Sequence, residues 1–206
     1  MSAAPAAVIE LAPNLWRWTA PHPGWTPDPE PGSPADWDRE VGSVLHVAGG
    51  AAVFIDALLP EDEDGFWRWA DPIAERCERV LALTTIGFHR RDRDRLVYRY
   101  GASTSRAARE LPAGVLPVAL RGAGEVVFWL DQPRAIVCGD RLLGDGQAAL
   151  RTCPASWLRY LESGIDEAGL SERLRPLLEL PVEMVLVSHG DPVLSGGRDA
   201  IAGAIA

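Results

Sequence analysis

The apolar segments of this 206-residue chain fall into two blocks of strand-like sequence, and helical patterns follow each block. Short apolar or alternating runs predict strands at 8–11, 15–18, 41–47, 51–56, 80–84, 115–120, 125–130, 135–138 and 184–187. Helical spacing predicts helices at 61–79, 91–100, 156–163, 172–180 and 199–205. Strands in two blocks, with helices between and after them, predict a layered protein of mixed α and β structure.

The length and charge of the chain limit its organisation and its partners. Because the chain has 206 residues and 47% of them are hydrophobic, residues 1–206 are most simply one domain with a large core. The net charge of −9 argues against binding to nucleic acid and to anionic membranes, since both need a cationic surface. Neither nucleic acid nor a membrane is therefore an expected partner, and the sequence leaves the oligomeric state open.

The cysteines indicate a reducing compartment. Cys77, Cys138 and Cys153 are widely spaced, odd in number and form no Cys-x-x-Cys pair. This pattern favours free thiols over a disulfide framework. The first residues show no positive segment followed by an apolar stretch, and no apolar run approaches the roughly 20 residues that span a bilayer. We therefore predict a cytoplasmic protein.

Residues 21–38 break every regular pattern and contain six prolines together with His22, Trp25 and Trp37. Such a long irregular segment inside a domain is either a functional lid or a disordered insert. Two tryptophans are costly to leave in water, which favours a packed lid. We expect Trp25 and Trp37 to contact the apolar portion of a bound substrate.

Polar residues follow several of the predicted strands, where α/β proteins commonly build their ligand sites. These positions are Asp56, the run at 84–94, Gly139-Asp140 and Ser188-His189-Gly190. Each also has a simpler structural explanation. Asp56 could end its strand, Asp140 could be an ordinary turn residue, and His89 could cap the helix that follows it.

Three sequence blocks, in their order along the chain, resemble those of the metallo-β-lactamase superfamily. They are Phe54-Ile55-Asp56, Ala135-Ile136-Val137-Cys138-Gly139-Asp140-Arg141-Leu142-Leu143 and Val185-Leu186-Val187-Ser188-His189-Gly190-Asp191-Pro192-Val193. The resemblance implies an α+β fold, a four-layer αββα sandwich, and hydrolysis of an ester, thioester, lactone or phosphoester. It also implies that Asp140 and His189 are catalytic metal ligands, Asp140 as the bridging carboxylate and His189 as a ligand of the second metal.

The remaining ligand positions depart from the family pattern. The family has Thr-His-x-His-x-Asp-His after its central strand, and from Thr85 this chain has Ile86, Phe88, Arg90 and Arg91 at those ligand positions. A later histidine of the family, in His-x-x-Gly, is replaced by arginine in Arg121-Gly122-Ala123-Gly124. A guanidinium stays protonated and cannot ligate a metal, so most of the usual ligand set is missing.

A gapped alignment would let His89 serve as the first ligand, with Asp92 or Asp94 as a carboxylate ligand. The residual metal set would then be His89, Asp140 and His189, enough to hold one zinc or other divalent ion. A ligand set this incomplete leaves open whether any metal is bound and whether the protein is an enzyme.

An alternative hypothesis follows from the charge of the substituted residues. Arg90, Arg91 and Arg121 bring positive charge to places where the family holds cations, so a guanidinium could replace the metal electrostatically. We then expect an ion pair between Arg121 and Asp140, with Arg91 and Arg121 binding a substrate or ligand anion. Such a protein would be a metal-free binder of a small anionic ligand, or of a partner protein, without turnover.

Overall fold

The computed structural model describes residue 5 and residues 7–161 and 164–206. Their strands are β1 (Val8–Ala12), β2 (Leu15–Pro21), β3 (Glu40–Ala48), β4 (Ala51–Ile55), β5 (Arg79–Leu83), β6 (Val115–Leu120), β7 (Glu125–Leu130), β8 (Ala135–Val137), β9 (Leu142–Gly144), β10 (Leu150–Thr152) and β11 (Met184–Leu186). Their α-helices are α1 (Glu63–Ala74), α2 (Arg93–Tyr100), α3 (Glu167–Leu174) and α4 (Gly197–Ala204). Short 3-10 helices cover Ala108–Glu110, Ala155–Tyr160 and Arg175–Glu179.

The strands form two mixed sheets and a small hairpin. The first sheet has the order β1-β2-β3-β4-β5, antiparallel except that β4 and β5 run parallel. The second has the order β11-β8-β7-β6, in which β11 and β8 are parallel. Strands β9 and β10 form a separate two-stranded sheet. The parallel pairs matter for function because they bring the carboxyl ends of strands from both sequence blocks to a common edge.

The side chains of β4 alternate between two hydrophobic layers. Val53 and Ile55 belong to a cluster that also contains Phe128 and Val137 of the second sheet, so this cluster lies between the sheets. The intervening Phe54 belongs to a different cluster on the outer face, where α1 and α2 pack. On the far side, β7, β8 and β11 share a cluster with α3 and α4. The chain thus has the predicted α+β architecture, with helices outside each sheet.

Helix α1 shows how the sequence specifies one of these layers. Its buried Phe66, Trp69 and Ile73 repeat at helical spacing and pack with Trp18 of β2. Asp62 caps the helix by accepting a hydrogen bond from the Gly65 backbone N–H at 2.9 Å. The helix ends at Ala74 rather than at 79 as predicted. The chain leaves it early because the Glu78 N–H bonds to the Gly50 carbonyl beside β4.

Other differences from the predicted elements have local causes. The predicted helix 156–163 is the 3-10 turn Ala155–Tyr160, and its last residues, 162–163, lie outside the described residues. The predicted helix 172–180 is divided between α3 and a 3-10 turn, since Pro176 has no N–H to continue an α-helix. Strands β9 and β10, of three residues each, were not predicted. Within the described part of the chain, no helix combines the length and apolarity needed to cross a bilayer.

Candidate functional site

The site lies where the carboxyl ends of β4, β5, β8 and β11 meet. The two sheets are joined at this edge, because the Gly42 N–H of β3 donates to the Ser188 carbonyl at 2.7 Å and Val41 forms a bridge with His189. Gly42 has no room for a side chain, since an added Cβ would lie 2.5 Å from the Val187 carbonyl oxygen. Close backbone contact thus holds the β11 end, and with it His189, against the first sheet.

Asp56 fixes the loop that follows β5. Its Oδ1 accepts a hydrogen bond from the Thr85 N–H at 2.8 Å, and its Oδ2 accepts one from the Thr85 hydroxyl at 2.5 Å. Asp56 is 2% exposed and adopts φ 48°, a left-handed conformation that few non-glycine residues take. Asp56 therefore does more than end its strand, because its carboxylate orients the next loop.

His89 lies between two carboxylates. Its Nδ1 is 2.9 Å from Asp56 Oδ2 and its Nε2 is 3.0 Å from Asp140 Oδ1. Burial alone would lower the pKa of His89, but the charges of Asp56 and Asp140 outweigh burial and raise the pKa to about 9. Neither helix capping nor an exposed position describes this residue, since it is 6% exposed at the centre of the site.

Asp140 brings the two site histidines together. His189 Nε2 lies 3.5 Å from the same Oδ1 that His89 Nε2 approaches. Burial alone would raise the pKa of Asp140, but the two imidazoles outweigh burial and hold the pKa well below its usual range. Yet Oδ1, which is buried, has no hydrogen bond within the described residues, so the short contact with His89 is too bent for one. The ligand atoms converge without bonding to each other.

Glu125, which the sequence analysis did not single out, supports the Asp140 turn. Its carboxylate accepts hydrogen bonds from the backbone N–H groups of Gly139, Asp140 and Arg141 at 2.8, 2.9 and 3.1 Å. Burial raises the pKa of this carboxyl group above its usual value. The sequence signal for this role is the charged residue at the start of the apolar strand Glu-Val-Val-Phe-Trp-Leu. Buried carboxylates of this kind normally have a specific hydrogen-bonding role.

Arg91 occupies the edge of the site in a strained conformation. Its φ is 38°, and its Nη1 donates to the carbonyls of Gly42 and Asp56 at 2.7 and 2.6 Å. Burial lowers the pKa of its guanidinium. The residue lines the pocket that also contains His89, Asp140 and His189 (the main pocket), but its Nη1 is already engaged by the protein. Arg91 therefore contributes positive charge to the site and also ties the loop to the first sheet.

The two aspartates that a gapped alignment offered as ligands lie elsewhere. Asp92 Oδ2 accepts a hydrogen bond from the Leu59 N–H at 2.8 Å. The Asp94 side chain is 69% exposed and pairs with Arg90 and Arg93. Neither belongs to the cluster of possible metal ligands found among the described residues, which is His89, Asp140 and His189. The run at 84–94 thus supplies one group to this cluster.

The expected ion pair between Arg121 and Asp140 is not formed in the described structure. Arg121 is exposed in the turn between β6 and β7 and does not line the main pocket. The interior side of that turn is occupied by Arg141, whose Nε donates to the Ala123 carbonyl at 2.7 Å. The imidazoles of His89 and His189 take the positions beside Asp140 instead.

Above these polar groups, a pocket of about 310 Å³ is walled mainly by aromatic side chains. Trp37 and Trp157 pack edge-on against His189, with ring centroids 5.4 and 5.6 Å from it. The rings of Phe88 and Tyr160 pack against each other with their centroids 6.1 Å apart, and the two residues are 61% and 51% exposed. Exposed aromatic residues at a pocket rim are suited to an apolar group of a ligand.

The irregular segment 21–38 packs beside this pocket, and the two tryptophans within it have different positions. Trp37 lines the main pocket, whereas Trp25 lines a neighbouring one. The Trp25 indole N–H donates to the Trp37 carbonyl at 2.9 Å. Trp25 therefore holds the backbone that carries Trp37, and its contact with a substrate stays a prediction.

Comparison with known proteins supports the fold. No protein-family model and no curated protein sequence matches the chain. Solved structures do match. The metallo-β-lactamase from Erythrobacter litoralis has a TM-score of 0.61 and 15% identity, with 97% of this chain and 91% of that chain covered. DIM-1 metallo-β-lactamase has a TM-score of 0.59 and 11% identity, with 96% and 97% covered.

A third structure, that of VMB-1 at pH 5.5, has a TM-score of 0.57 and 14% identity, with 97% of both chains covered. The chain therefore has the metallo-β-lactamase fold over nearly its whole length, as its sequence blocks indicated. Identities this low show a common fold and say nothing about a common activity. The function must be argued from the side chains of this chain.

Proposed function

We propose that this protein is a hydrolase that uses a single divalent cation held by His89, Asp140 and His189. The observation that carries the proposal is the convergence of one ligand atom from each residue, all within 4.8 Å of one another. In a tetrahedral zinc site, ligand atoms at 2.0–2.1 Å from the ion lie roughly 3.3 Å apart. The contacts of Asp140 Oδ1 at 3.0 and 3.5 Å are close to that spacing.

The absence of hydrogen bonds among these atoms also fits a cation. Within the described residues, the buried Asp140 Oδ1 accepts no hydrogen bond of good geometry although both imidazole nitrogens lie near it, so it keeps a lone pair for an ion. Two histidines and one carboxylate form a common divalent-metal set that leaves positions open for water and substrate. By the family resemblance, the other metal would need ligands at the positions that Ile86, Phe88 and Arg121 occupy in this chain.

The residues around the ligands support this role. In the metal-bound form, His89 Nδ1–H would donate a hydrogen bond to Asp56 Oδ2, which leaves the Nε2 lone pair free for the metal. Glu125 holds the backbone of the turn that carries Asp140. A bound divalent cation polarises a carbonyl or phosphoryl oxygen and lowers the pKa of a water molecule. Trp37 and Trp157 keep bulk water from His189.

The pocket suggests the kind of substrate. Its polar floor suits the carbonyl or phosphoryl group of an ester, thioester, lactone or phosphoester, and its aromatic rim suits an apolar substituent. We also infer a cytoplasmic location, because Cys77, Cys138 and Cys153 form no disulfide among the described residues.

A metal measurement tests the proposal. Protein purified without chelator should contain close to one equivalent of zinc, iron or another divalent ion per chain. Removing the metal with a chelator should lower the melting temperature and abolish hydrolysis of p-nitrophenyl acetate or bis(p-nitrophenyl) phosphate, and adding the metal back should restore both. Protein that holds no metal, and whose melting temperature does not change with added zinc, would contradict the proposal.

A specific observation favours a second candidate, a metal-free binder of small anions. The His89 ring has a carboxylate at each nitrogen, so its protonated form can occupy the place of a cation. Arg91 adds a buried positive charge at the same pocket. In this case the protein would bind a carboxylate or phosphate without turnover.

The metal-free protein should lose stability as the pH rises above neutral. The pKa of His89 is about 9 in the folded chain against an ordinary value of 6.5, so protonated His89 stabilises the fold fully below about pH 6.5. This contribution, on the order of 3 kcal/mol, disappears as the pH rises through about 9. Urea unfolding of chelator-treated protein between pH 6 and 10 measures it. The fall should be absent in His89→Gln, and an equal fall in that variant would refute the assignment.

Replacing Tyr160 with alanine should weaken substrate binding with little effect on the metal. Loss of one aromatic wall at the rim is expected to raise KM or Kd roughly 2- to 10-fold. Tyr98→Ala is a matched control, because Tyr98 is 93% exposed on α2 and lies outside the pocket. Equal effects of the two substitutions would show that the rim does not contact the substrate.

A further inference from the structure

His22, at the start of the segment 21–38, is a pocket residue that the sequence analysis passed over. Hydrogen bonds fix both backbone polar groups of His22. Its N–H donates to the Arg39 carbonyl at 2.8 Å, and its carbonyl accepts from the Trp25 N–H at 3.0 Å. Its ring packs edge-on against Trp37 at 5.1 Å. The ring lines the same pocket as the candidate metal ligands. The position of His22 is therefore set by the fold.

A backbone hydrogen bond fixes the tautomer of this ring. His22 Nδ1 accepts from the Gly24 N–H at 3.1 Å, so Nδ1 must carry a lone pair and not a proton. In the neutral imidazole the proton then resides on Nε2. Among the described residues no group bonds to Nε2, and a side chain at residue 24 would crowd the ring, with its Cβ 3.3 Å from Nδ1 and Cε1. The ring thus has one N–H donor left for a ligand.

The surrounding charges keep His22 neutral. Burial lowers its pKa, and the positive charges of Arg91, His89 and His189 lower it further, while Asp140 opposes them. At neutral pH the ring is therefore a hydrogen-bond donor and not a cation. A neutral donor with a fixed tautomer is suited to an oxygen that gains negative charge during a reaction.

We propose that His22 Nε2–H donates a hydrogen bond to the carbonyl or phosphoryl oxygen of the substrate. The proposal rests on the hydrolytic function proposed above. It makes the segment 21–38 part of the reacting site, because His22 lines the same pocket as the residues carried by the sheets. No proton is transferred in this role, so His22 stabilises developing charge without acting as an acid or base.

The experiment compares His22→Phe, which keeps a ring but has no donor, with His22→Gln, which places an amide N–H near the Nε2 position. With p-nitrophenyl acetate as the probe, His22→Phe should lower kcat at least 10-fold at unchanged metal content and melting temperature. His22→Gln should recover much of this loss. Glu30→Gln, an exposed substitution in the same segment outside the pocket lining, is the control and should match the wild type.

A second measurement does not depend on turnover. Titration of the protein with benzoate, whose carboxylate presents an oxygen to the same donor, should give a Kd about 5-fold weaker in His22→Phe than in the wild type and in His22→Gln. Nitrogen NMR of the wild type should show Nδ1 unprotonated and Nε2 protonated, with the Nε2 resonance shifting on benzoate addition.

These outcomes separate the two proposals. If the wild type fails to hydrolyse the probe but benzoate binds and depends on residue 22, the hydrolytic function fails and the donor role of His22 stands. Unchanged kcat and unchanged benzoate affinity in His22→Phe would overturn the donor role, as would a protonated Nδ1. The donor role would also be overturned if the wild type did not bind benzoate and His22→Phe had the same kcat as the wild type.

Discussion

Replacing Asp140 with alanine is expected to remove the metal and lower hydrolytic activity at least about 100-fold, since losing only an outer-shell partner typically costs 10- to 100-fold. Asp140 Oδ1 is the atom to which both imidazoles converge, at 3.0 and 3.5 Å. Without it, His89 and His189 would have to hold the ion alone. Asp140→Asn keeps the shape of the side chain but loses its charge, so it should also bind the metal much more weakly.

Asp145→Ala is the matched control for this prediction. It makes the same change of charge a few residues along the chain, on a side chain that is 56% exposed and pairs with Arg151. Metal content, measured by elemental analysis, and kcat/KM should both match the wild type in this control. Full metal content and activity in Asp140→Ala would exclude the proposed ligand set.

Of the substitutions proposed, Glu125→Ala should lower the free energy of unfolding the most, by about 3 to 5 kcal/mol. Alanine would leave the backbone N–H groups of Gly139, Asp140 and Arg141 without their acceptor in a buried place. Glu125→Gln should also destabilise the protein, because one amide oxygen cannot replace two carboxylate oxygens and the amide N–H₂ would face a backbone donor.

Urea unfolding measures both Glu125 variants, with Glu172→Ala as the control. The Glu172 side chain is 63% exposed on α3 and pairs only with Arg175 among the described residues, so its loss should cost no more than about 1 kcal/mol. If the Glu125→Ala protein folds, its metal affinity should fall as well, because the Asp140 turn loses its support. A loss of stability as small as that of the control would show that these three hydrogen bonds contribute little.

Most of the fold could be predicted from the sequence because its strands are short apolar runs between clear turns. The strands at 115–120 and 125–130 were predicted with the bounds that the structure has. The helix predicted from 61 begins at Glu63, but its end could not be predicted. That end depends on the bond between Glu78 and Gly50, a contact between distant residues that local propensity does not contain.

The site was partly predictable, for a related reason. Asp140 and His189 follow apolar strands directly, so the topology of the sheet brings them together. His89 lies in a loop whose course depends on the Asp56 carboxylate, so the sequence offered it as a ligand only through a gapped alignment. Arg121 was expected at Asp140, but Arg141 fills the interior side of that turn. In both cases, hydrogen bonds between residues distant in the sequence determine where the side chain lies.

The packing of Trp37 has a consequence for how this pocket can change. The same indole forms a wall of the pocket and rests edge-on against the His189 imidazole. A smaller residue at 37 would widen the opening for larger molecules, but it would also let the imidazole turn away from Asp140. The width of the pocket and the orientation of His189 therefore both depend on Trp37, and a substitution at this position changes the two together.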